Sequence, residues 1–243
     1  MNILLIGCEF AGKTTLAAEI VDWCEENLGG SSHFHDHFTI PSTELTDEAG
    51  ASYAATHPQV KEMFQRFLIS YHASEGFFSY PDHNLMGYHI EEAVYAPLYY
   101  GYGGPDSGSP MRSPEGQRTK MARSTEEEIL RHAPNMVLVL MKATPEVIRE
   151  RMAANFYPDA ETVERQKISK LFGEPTRGVV LEKDVEHVLA HFEEEFEASL
   201  MKNKLVLDTT TATVEETMAE FIEAVMPLLT DADKARLAEH GKS

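Results

Sequence analysis

Residues 7–14 of the chain read Gly7-Cys8-Glu9-Phe10-Ala11-Gly12-Lys13-Thr14, and this stretch decides the fold. It matches the pattern Gly-x-x-x-x-Gly-Lys-Thr/Ser, in which glycines let successive backbone N–H groups turn towards one anion. The apolar run at residues 3–6 predicts a buried strand before it, and apolar residues recur at helical spacing after it. Strand, glycine loop and helix therefore follow in the order that a phosphate-binding loop requires.

The motif also predicts a ligand, a nucleoside triphosphate with its metal. Lys13 is expected to reach the outer phosphates, and the Thr14 hydroxyl is expected to bind Mg²⁺. The residues expected to surround the phosphates are Gly7, Cys8, Glu9, Phe10, Ala11, Gly12, Lys13, Thr14 and Thr15.

Composition excludes several classes of partner. The 243 residues include 21 Lys+Arg and 40 Asp+Glu, for a net charge of −19. That charge opposes non-specific binding to nucleic acid or to an anionic membrane, since both depend on basic patches. The two cysteines, Cys8 and Cys24, are too few for a disulfide framework. With no apolar stretch of transmembrane length, the sequence predicts a soluble, cytoplasmic protein without a nucleic-acid or membrane partner.

Strands and helices alternate along the rest of the chain. Further strands are predicted at 32–38, 85–90, 136–141 and 204–207, and helices at 43–75, 117–132, 145–152, 181–201 and 214–229. This alternation predicts an α/β fold with a doubly wound parallel sheet, whose ligands lie at the carboxyl ends of the strands. We expect one domain over residues 1–229, with lid-like segments at about 103–118 and 149–170 and a frayed helical tail over 230–243.

Several segments in this order resemble the P-loop kinases of nucleosides and nucleoside monophosphates, and in places the deoxynucleoside kinases. The segment 89–95 is similar to the family's apolar-Glu-Arg-Ser-Val-Tyr, the segment 140–151 to the approach to its arginine-bearing lid, and the segment 206–210 to its adenine-side loop. The resemblance implies a three-layer P-loop NTPase fold with a five-stranded parallel sheet. It also implies ATP and Mg²⁺ as cofactors, and places Asp208 and Thr209 beside the adenine.

Two features depart from the family pattern. Glu92 stands where the family has arginine, so one phosphate-binding cation is missing or comes from elsewhere. Since neighbouring residues of a strand point to opposite faces, Glu92 is expected at the surface if Glu91 faces the site. The stretch after Arg151 also lacks the dense arginine cluster of the family's lid.

Four residues are candidates for the chemistry of phosphoryl transfer beside Lys13. Glu91, at the end of the third predicted strand, can accept the proton of an acceptor hydroxyl; the alternative is a solvated acid at a helix start. Arg123, Arg149 and Arg151 can neutralise the transferred phosphoryl group, with ordinary helix-surface charge as the alternative.

The acceptor side of the site is less defined by the sequence. Asp36 or His37, at the end of the second predicted strand, is expected to contact the acceptor or the water shell of the metal. Tyr95 is expected to contact the acceptor, with half-buried packing as the alternative. His33, His35 and His37 share one face of that strand, which leaves a metal site as an alternative.

These observations predict an ATP-dependent phosphotransferase acting on a small molecule, a nucleoside or nucleoside monophosphate. The alternatives are a kinase of another small hydroxyl compound and a nucleotide-binding regulatory NTPase. Strict dependence of ATP consumption on an added acceptor distinguishes a kinase from a regulatory NTPase. The sequence leaves a homodimer open.

Overall fold

The computed structural model of the chain describes residues 1–30, 33–36, 52–53, 55–103, 117–154 and 180–241. The strands are β1 (Ile3–Gly7), β2 (His33–Asp36), β3 (His83–Met86), β4 (Val137–Lys142) and β5 (Asn203–Asp208). The α-helices are α1 (Lys13–Leu28), α2 (Pro58–His72), α3 (Glu75–Phe78), α4 (Tyr88–Tyr95), α5 (Gln117–His132), α6 (Pro145–Ala153), α7 (Val185–Ala198), α8 (Val214–Val225) and α9 (Asp231–His240). A π-helix follows α4 at Ala96–Tyr100, and 3₁₀ turns occur at Glu182–Asp184 and Met226–Leu228.

The strands form one parallel sheet in the order β2-β3-β1-β4-β5. The central strand β1 is buried along its whole length, and its residue Leu5 lies opposite Met86 of β3 and Val139 of β4. A parallel strand covered on both faces is apolar throughout, which explains the uninterrupted run before the glycine loop. The predicted fold with five parallel strands is confirmed.

Helices cover both faces of this sheet. On one side α1 packs against α8 and α9, and on the other α7 contacts β1, β4, α4 and α6. Since β3 and β4 flank β1, the segments that leave their carboxyl ends lie on either side of the glycine loop. Among the described helices, none has both the length and the apolar character needed to cross a bilayer.

The third strand is shorter than predicted, and this changes the setting of two glutamates. It ends at Met86, and Gly87 (φ 72°) and Tyr88 (φ 51°) turn the chain directly into α4. The prediction that the strand runs to residue 90 is therefore wrong. Glu91 lies in the first turn of a helix, and Glu92 lies about 100° around the helix axis from it, not on an opposite strand face.

Other boundaries differ less. Of the helix predicted at 43–75, α2 covers Pro58–His72, and residues 43–51 lie outside the described part of the chain. The helix predicted at 181–201 is a 3₁₀ turn followed by α7. The predicted lid-like segments lie mostly outside the described residues, apart from positions 103 and 117–118 and the part of α6 from residue 149 to 153.

The last helix is docked, contrary to the prediction of a frayed tail. The Thr230 side chain caps α9 by accepting from the Asp233 amide, and the helix packs against α1. Arg236 of α9 binds both carboxylate oxygens of Asp82, at 3.0 and 2.5 Å, and donates to the Leu28 carbonyl. Asp82 is buried, so this ion pair ties the end of the chain to the amino-terminal edge of the sheet.

We expect Arg236→Ala to lower the free energy of unfolding by about 2 kcal/mol, because the buried Asp82 carboxylate loses a cation that pairs with both of its oxygens. Burial raises the pKa of Asp82, but Arg236 and the Met1 amino group outweigh burial and lower it overall. The stabilisation is therefore present at neutral pH and is lost as the pH falls below about 4. Urea unfolding at pH 7 and pH 3 measures both effects, with exposed Lys234→Ala as control; an equal deficit at both pH values would contradict the ion pair as its cause.

Candidate functional site

The loop between β1 and α1 has the backbone of an anion cradle. Gly7 (φ 143°) and Gly12 (φ 93°) take conformations that L side chains rarely adopt, and a Cβ at Gly7 would collide with the Met141 carbonyl oxygen. Phe10 also has positive φ, at 65°. The two glycines that the motif requires are thus placed where only glycine fits without strain.

The amino terminus of α1 offers free donors to this cradle. Gly12 is its N-cap, so the described chain provides no side-chain cap there, and the first turn carries no acidic residue. The first N–H groups of a helix have no partner within it, and the helix dipole adds partial positive charge. A phosphate satisfies both.

Lys13 is held across the loop by two groups. Its Nζ donates to the Gly7 carbonyl at 2.6 Å and lies 3.0 Å from Glu91 Oε1. Burial alone lowers the pKa of Lys13, but the nearby carboxylates of Glu91 and Glu9 outweigh burial and raise it above its ordinary value. The lysine is therefore a buried, permanently charged cation at the phosphate end of the loop.

Glu91 is the residue that faces Lys13 from the first turn of α4, directly after β3. Its side chain lies so close to Gly87 that a Cβ there would collide with the carboxyl group. Glu91 is 2% exposed, and its Oε2 has no hydrogen-bond partner among the described residues. An unsatisfied buried oxygen is costly unless a ligand, a water or a metal completes it. Glu91 can therefore bind a metal or its water shell, or accept a proton from an acceptor.

The prediction that Glu92 lies at the surface is wrong. Glu92 is 3% exposed, and its Oε2 pairs with Arg66 Nη2 at 3.2 Å. The helical geometry of α4 turns both glutamates inward. Arg66, from α2, thus brings a cation to within hydrogen-bonding distance of Glu92.

Gln65, beside Arg66 in α2, is a site candidate that the sequence did not indicate. It is fully buried; its Nε2 donates to the Tyr53 hydroxyl at 3.2 Å, while its Oε1 has no hydrogen-bond partner within the described chain. One sequence pattern could have indicated it. In α2, polar residues recur at the helical spacing that apolar residues of a buried face usually occupy.

Arg151 binds the phosphate loop itself. Its Nη1 donates to the Phe10 carbonyl at 2.9 Å, and its Nη2 donates to the Thr209 carbonyl at 2.6 Å. The Thr209 hydroxyl lies 3.0 Å from the Ala11 carbonyl and 3.1 Å from the Lys142 carbonyl. Arg151 and Thr209 therefore brace the loop from the β4–β5 side, and burial lowers the pKa of this arginine.

The other predicted cations are engaged with carboxylates. Arg149 pairs with Glu186 at 2.5 Å on the surface between α6 and α7. Arg123 lies 2.9 Å from Glu126 and 3.1 Å from Glu195, in the interior between α5 and α7. Contact of either arginine with a phosphate stays a prediction and requires these ion pairs to open.

Tyr95 lies beneath the phosphate loop. It is fully buried, its hydroxyl accepts from the Glu9 amide at 3.2 Å, and its ring contacts Phe192 edge-on. Burial, the largest cause, raises the pKa of Tyr95 well above its ordinary value. Burial likewise raises the pKa of the Cys8 thiol to about 12, so that thiol is unreactive at neutral pH.

Asp208 ends β5 beside the brace. Its carboxylate accepts from the Thr210 amide at 2.8 Å, and hydrogen bonds from the Thr210 side chain and amide lower the pKa of Asp208. The Thr210 hydroxyl in turn accepts from the Thr144 amide at 3.1 Å. The expected adenine-side loop thus lies next to the phosphate loop, and its contact with adenine stays a prediction.

The second strand contributes less to the described site. Asp36 closes β2, and His37 lies outside the described residues, so their contact with an acceptor stays a prediction. The His35 ring lies 4.7 Å from those of His72 and His83. Within the described part of the chain, no cluster of three or more metal-ligating side chains has the geometry to hold an ion.

Neither a model of a known protein family nor a curated protein sequence matches the chain. Two solved structures are similar to it over nearly their whole length. YorR from Bacillus subtilis, in complex with phosphorylated GDP, has 14% identity and a TM-score of 0.51, covering 93% of this chain and 95% of its own. Deoxyadenosine kinase from M. mycoides, with dCMP and dCDP bound, has 13% identity and a TM-score of 0.50, covering 94% of this chain and 100% of its own. These likenesses show that the chain has the three-layer α/β fold of the P-loop kinases.

We expect Arg151→Ala to weaken binding of Mg²⁺–ATP about 10-fold, because the loop carbonyls of Phe10 and Thr209 lose a charged donor. Arg149→Ala, on the same helix, is the matched control and should change the affinity by less than about 2-fold, since its ion pair is exposed. Isothermal titration calorimetry measures both. An Arg151→Ala variant with unchanged ATP affinity and reduced turnover would contradict the brace and favour a lid role.

Proposed function

We propose that the protein is an ATP- and Mg²⁺-dependent kinase that transfers the terminal phosphoryl group to a hydroxyl of a nucleoside. The observation that carries this proposal is the pairing of Lys13 with Glu91 at the uncapped end of α1. It places a buried cation and an incompletely satisfied carboxylate at the point where the phosphates of a loop-bound nucleotide would end.

The donor side of the site supports ATP binding. The loop supplies backbone donors, α1 supplies its dipole, and Lys13 supplies a full charge. When ATP binds, the γ-phosphate can replace Glu91 as a partner of Lys13, because both are anions. The same lysine then neutralises charge that grows on the phosphoryl group in the transition state.

The donor set also fits Mg²⁺. Hard oxygen ligands suit this ion, and Thr14 at the start of α1 and the unpartnered Oε2 of Glu91 provide them. Bound there, the metal would neutralise negative charge on the phosphates. Glu91 would hold the ion or its water, or orient the acceptor hydroxyl and take its proton.

The charges around α2 and α4 favour a hydroxyl acceptor over a phosphate. Arg66 pairs with Glu92, and its Nε lies 3.6 Å from Glu62, so its charge is already matched by carboxylates in the described structure. An acceptor phosphate there would have to compete with these carboxylates for Arg66. Gln65 supports a nucleoside, because its amide provides a donor and an acceptor of the kind that a nucleobase edge requires.

We expect Lys13→Ala to abolish acceptor-dependent ADP release, because the transition state loses its principal protein cation. A screen of nucleosides, nucleoside monophosphates and other small alcohols with Mg²⁺–ATP identifies the acceptor. The wild type should also melt at a higher temperature with Mg²⁺–ATP, since a ligand of the native state stabilises it. ATP turnover without any acceptor requirement would contradict a kinase and favour a regulatory NTPase.

Once an acceptor is found, two variants separate chemistry from recognition. Glu91→Gln should lower kcat about 10²–10³-fold with little change in the KM for the acceptor, because it removes the base or metal ligand. Gln65→Leu should raise that KM about 10-fold with little change in kcat, because it removes only binding contacts. Glu128→Gln, at the exposed face of α5, is the control. A silent Glu91→Gln with a phosphate acceptor would contradict the hydroxyl assignment.

A further inference from the structure

The turn that carries Glu91 is a strained part of the backbone. Within the described residues, Phe10 and Tyr88 are the two non-glycine positions with positive φ, at 65° and 51°. Phe10 lies three residues before Lys13, and Tyr88 lies three residues before Glu91. Positive φ is costly for a bulky side chain and persists only where the surrounding contacts hold it. The contacts that hold the turn at Tyr88 therefore bear on the position of Glu91.

Two contacts hold this turn on the side of the phosphate loop. The Gly87 amide donates to the Leu5 carbonyl at 2.7 Å, and Glu91 pairs with Lys13 at 3.0 Å. His89, in the same turn of α4, lies two positions before Glu91 and therefore about 200° from it around the helix axis. The His89 side chain thus leaves the turn on the side opposite to the phosphate loop.

On that opposite side, His89 meets a fully buried carboxylate, Glu126 of α5. The His89 Nε2 lies 3.4 Å from Glu126 Oε1, and the exposed fractions of the two residues are 1% and 0%. Neither residue has a role in the function proposed above. A carboxylate at this depth is costly unless other groups satisfy it, so its partners show which elements it holds together.

The partners of Glu126 come from three elements. The Ser199 hydroxyl donates to Oε1 at 2.8 Å, and the Leu200 amide donates to Oε2 at 2.7 Å. Arg123, one turn earlier in α5, lies 2.9 Å from Oε2 and donates to Oε1 at 3.1 Å. Burial raises the pKa of this carboxyl group, but His89, Leu200 and Arg123 outweigh burial and lower it overall. Glu126 is therefore a charged anchor that joins the first turn of α4 to the segment after α7.

Both of the elements that Glu126 joins reach Lys13. Helix α4 supplies Glu91, and α7 places the centroid of the Phe192 ring 5.9 Å from the lysine Nζ. A cation at this distance over an aromatic face is attracted to the ring. The anchor thus lies behind two of the groups that surround the lysine.

We propose that Glu126 is a positioning residue for the Lys13–Glu91 pair, acting through His89 and through the end of α7. The inference rests on the role proposed above for Glu91. A carboxylate that must meet a metal, a water or an acceptor hydroxyl loses rate steeply when it is displaced, since a shift of about 1 Å can cost about 10²-fold. Glu126 acts from behind the helix, and Glu91 is the group that touches the ligand.

The same arrangement gives Arg123 a role other than phosphate binding. Its guanidinium is shared between Glu126 and Glu195, whose Oε2 lies 3.1 Å from the arginine Nη2. Moving this arginine to a phosphate would weaken the pairing of two buried carboxylates, which costs more than opening an exposed ion pair. Under the proposal, Arg123 neutralises the anchor.

A double-mutant cycle in urea unfolding tests the positioning without any substrate. Glu91→Gln removes the charged partner of buried Lys13 and should destabilise the fold. In a Glu126→Gln background the pair is already displaced, so Glu91→Gln should change the unfolding equilibrium constant at least about 5-fold less than in the wild type. Asp82→Asn, a buried carboxylate before the other end of β3, is the matched control and should be additive with Glu91→Gln. Additive effects of Glu126→Gln and Glu91→Gln would overturn the proposal.

A second variant keeps this cycle decisive if Glu126→Gln does not fold. His89→Leu removes only the contact from α4 and leaves the other partners of Glu126 in place. We expect the same non-additivity between His89→Leu and Glu91→Gln. Additive effects in this cycle would likewise overturn the proposal.

Turnover separates the positioning from the proposed function. With an acceptor in hand, Glu126→Gln and His89→Leu should each lower kcat about 10-fold while the KM values change less than about 2-fold, because the binding groups remain. His89→Gln keeps an N–H donor for Glu126 and should recover most of that loss, and Asp82→Asn should leave kcat unchanged. Equal losses in His89→Gln and His89→Leu would overturn the proposal. Turnover that is insensitive to Glu91→Gln would instead contradict the proposed function, and the unfolding cycle then decides the positioning.

Discussion

The site depends on a single buried cation. Lys13 is held by the Gly7 carbonyl at 2.6 Å and by Glu91 at 3.0 Å, in a setting where an unpaired charge would be costly. Glu91 keeps the lysine charged and ties the end of β3 to the loop after β1. Among the residues that the structure describes, Oε2 of the same carboxylate has no hydrogen-bond partner. The ion pair thus offsets the cost of burying both charges.

The loop around that lysine is braced from two sides. Tyr95 supports the Glu9 amide from the α4 side, and Arg151 with Thr209 holds the Phe10 and Ala11 carbonyls from the β4–β5 side. Preorganised donors lose little entropy when an anion arrives, which is how such loops bind phosphate tightly. Arg151, which the sequence predicts to close over the phosphates, instead holds the phosphate loop in its conformation in this structure.

Helix α2 shows how a site can determine a surface. Its polar residues face inward to meet Glu92 and Tyr53, and its apolar residues are consequently left outside. A sequence with this pattern has two amphipathic interpretations, and only the position of the neighbouring acidic residues decides between them.

The sequence by itself determined the parallel sheet, the glycine loop, the positive φ of Gly7 and Gly12 and the position of Lys13 at the start of α1. These follow from local patterns: an apolar parallel strand, glycine and a helix terminus. It also placed Glu91 correctly beside the loop through a family resemblance, although it assigned that residue to a strand. Only the tertiary structure decided the partners of Glu92 and Arg151 and the burial of Gln65. Each of those depends on contacts between elements far apart in the chain. Local periodicity places a residue on a face of its own helix or strand, but it does not determine which distant side chain pairs with it.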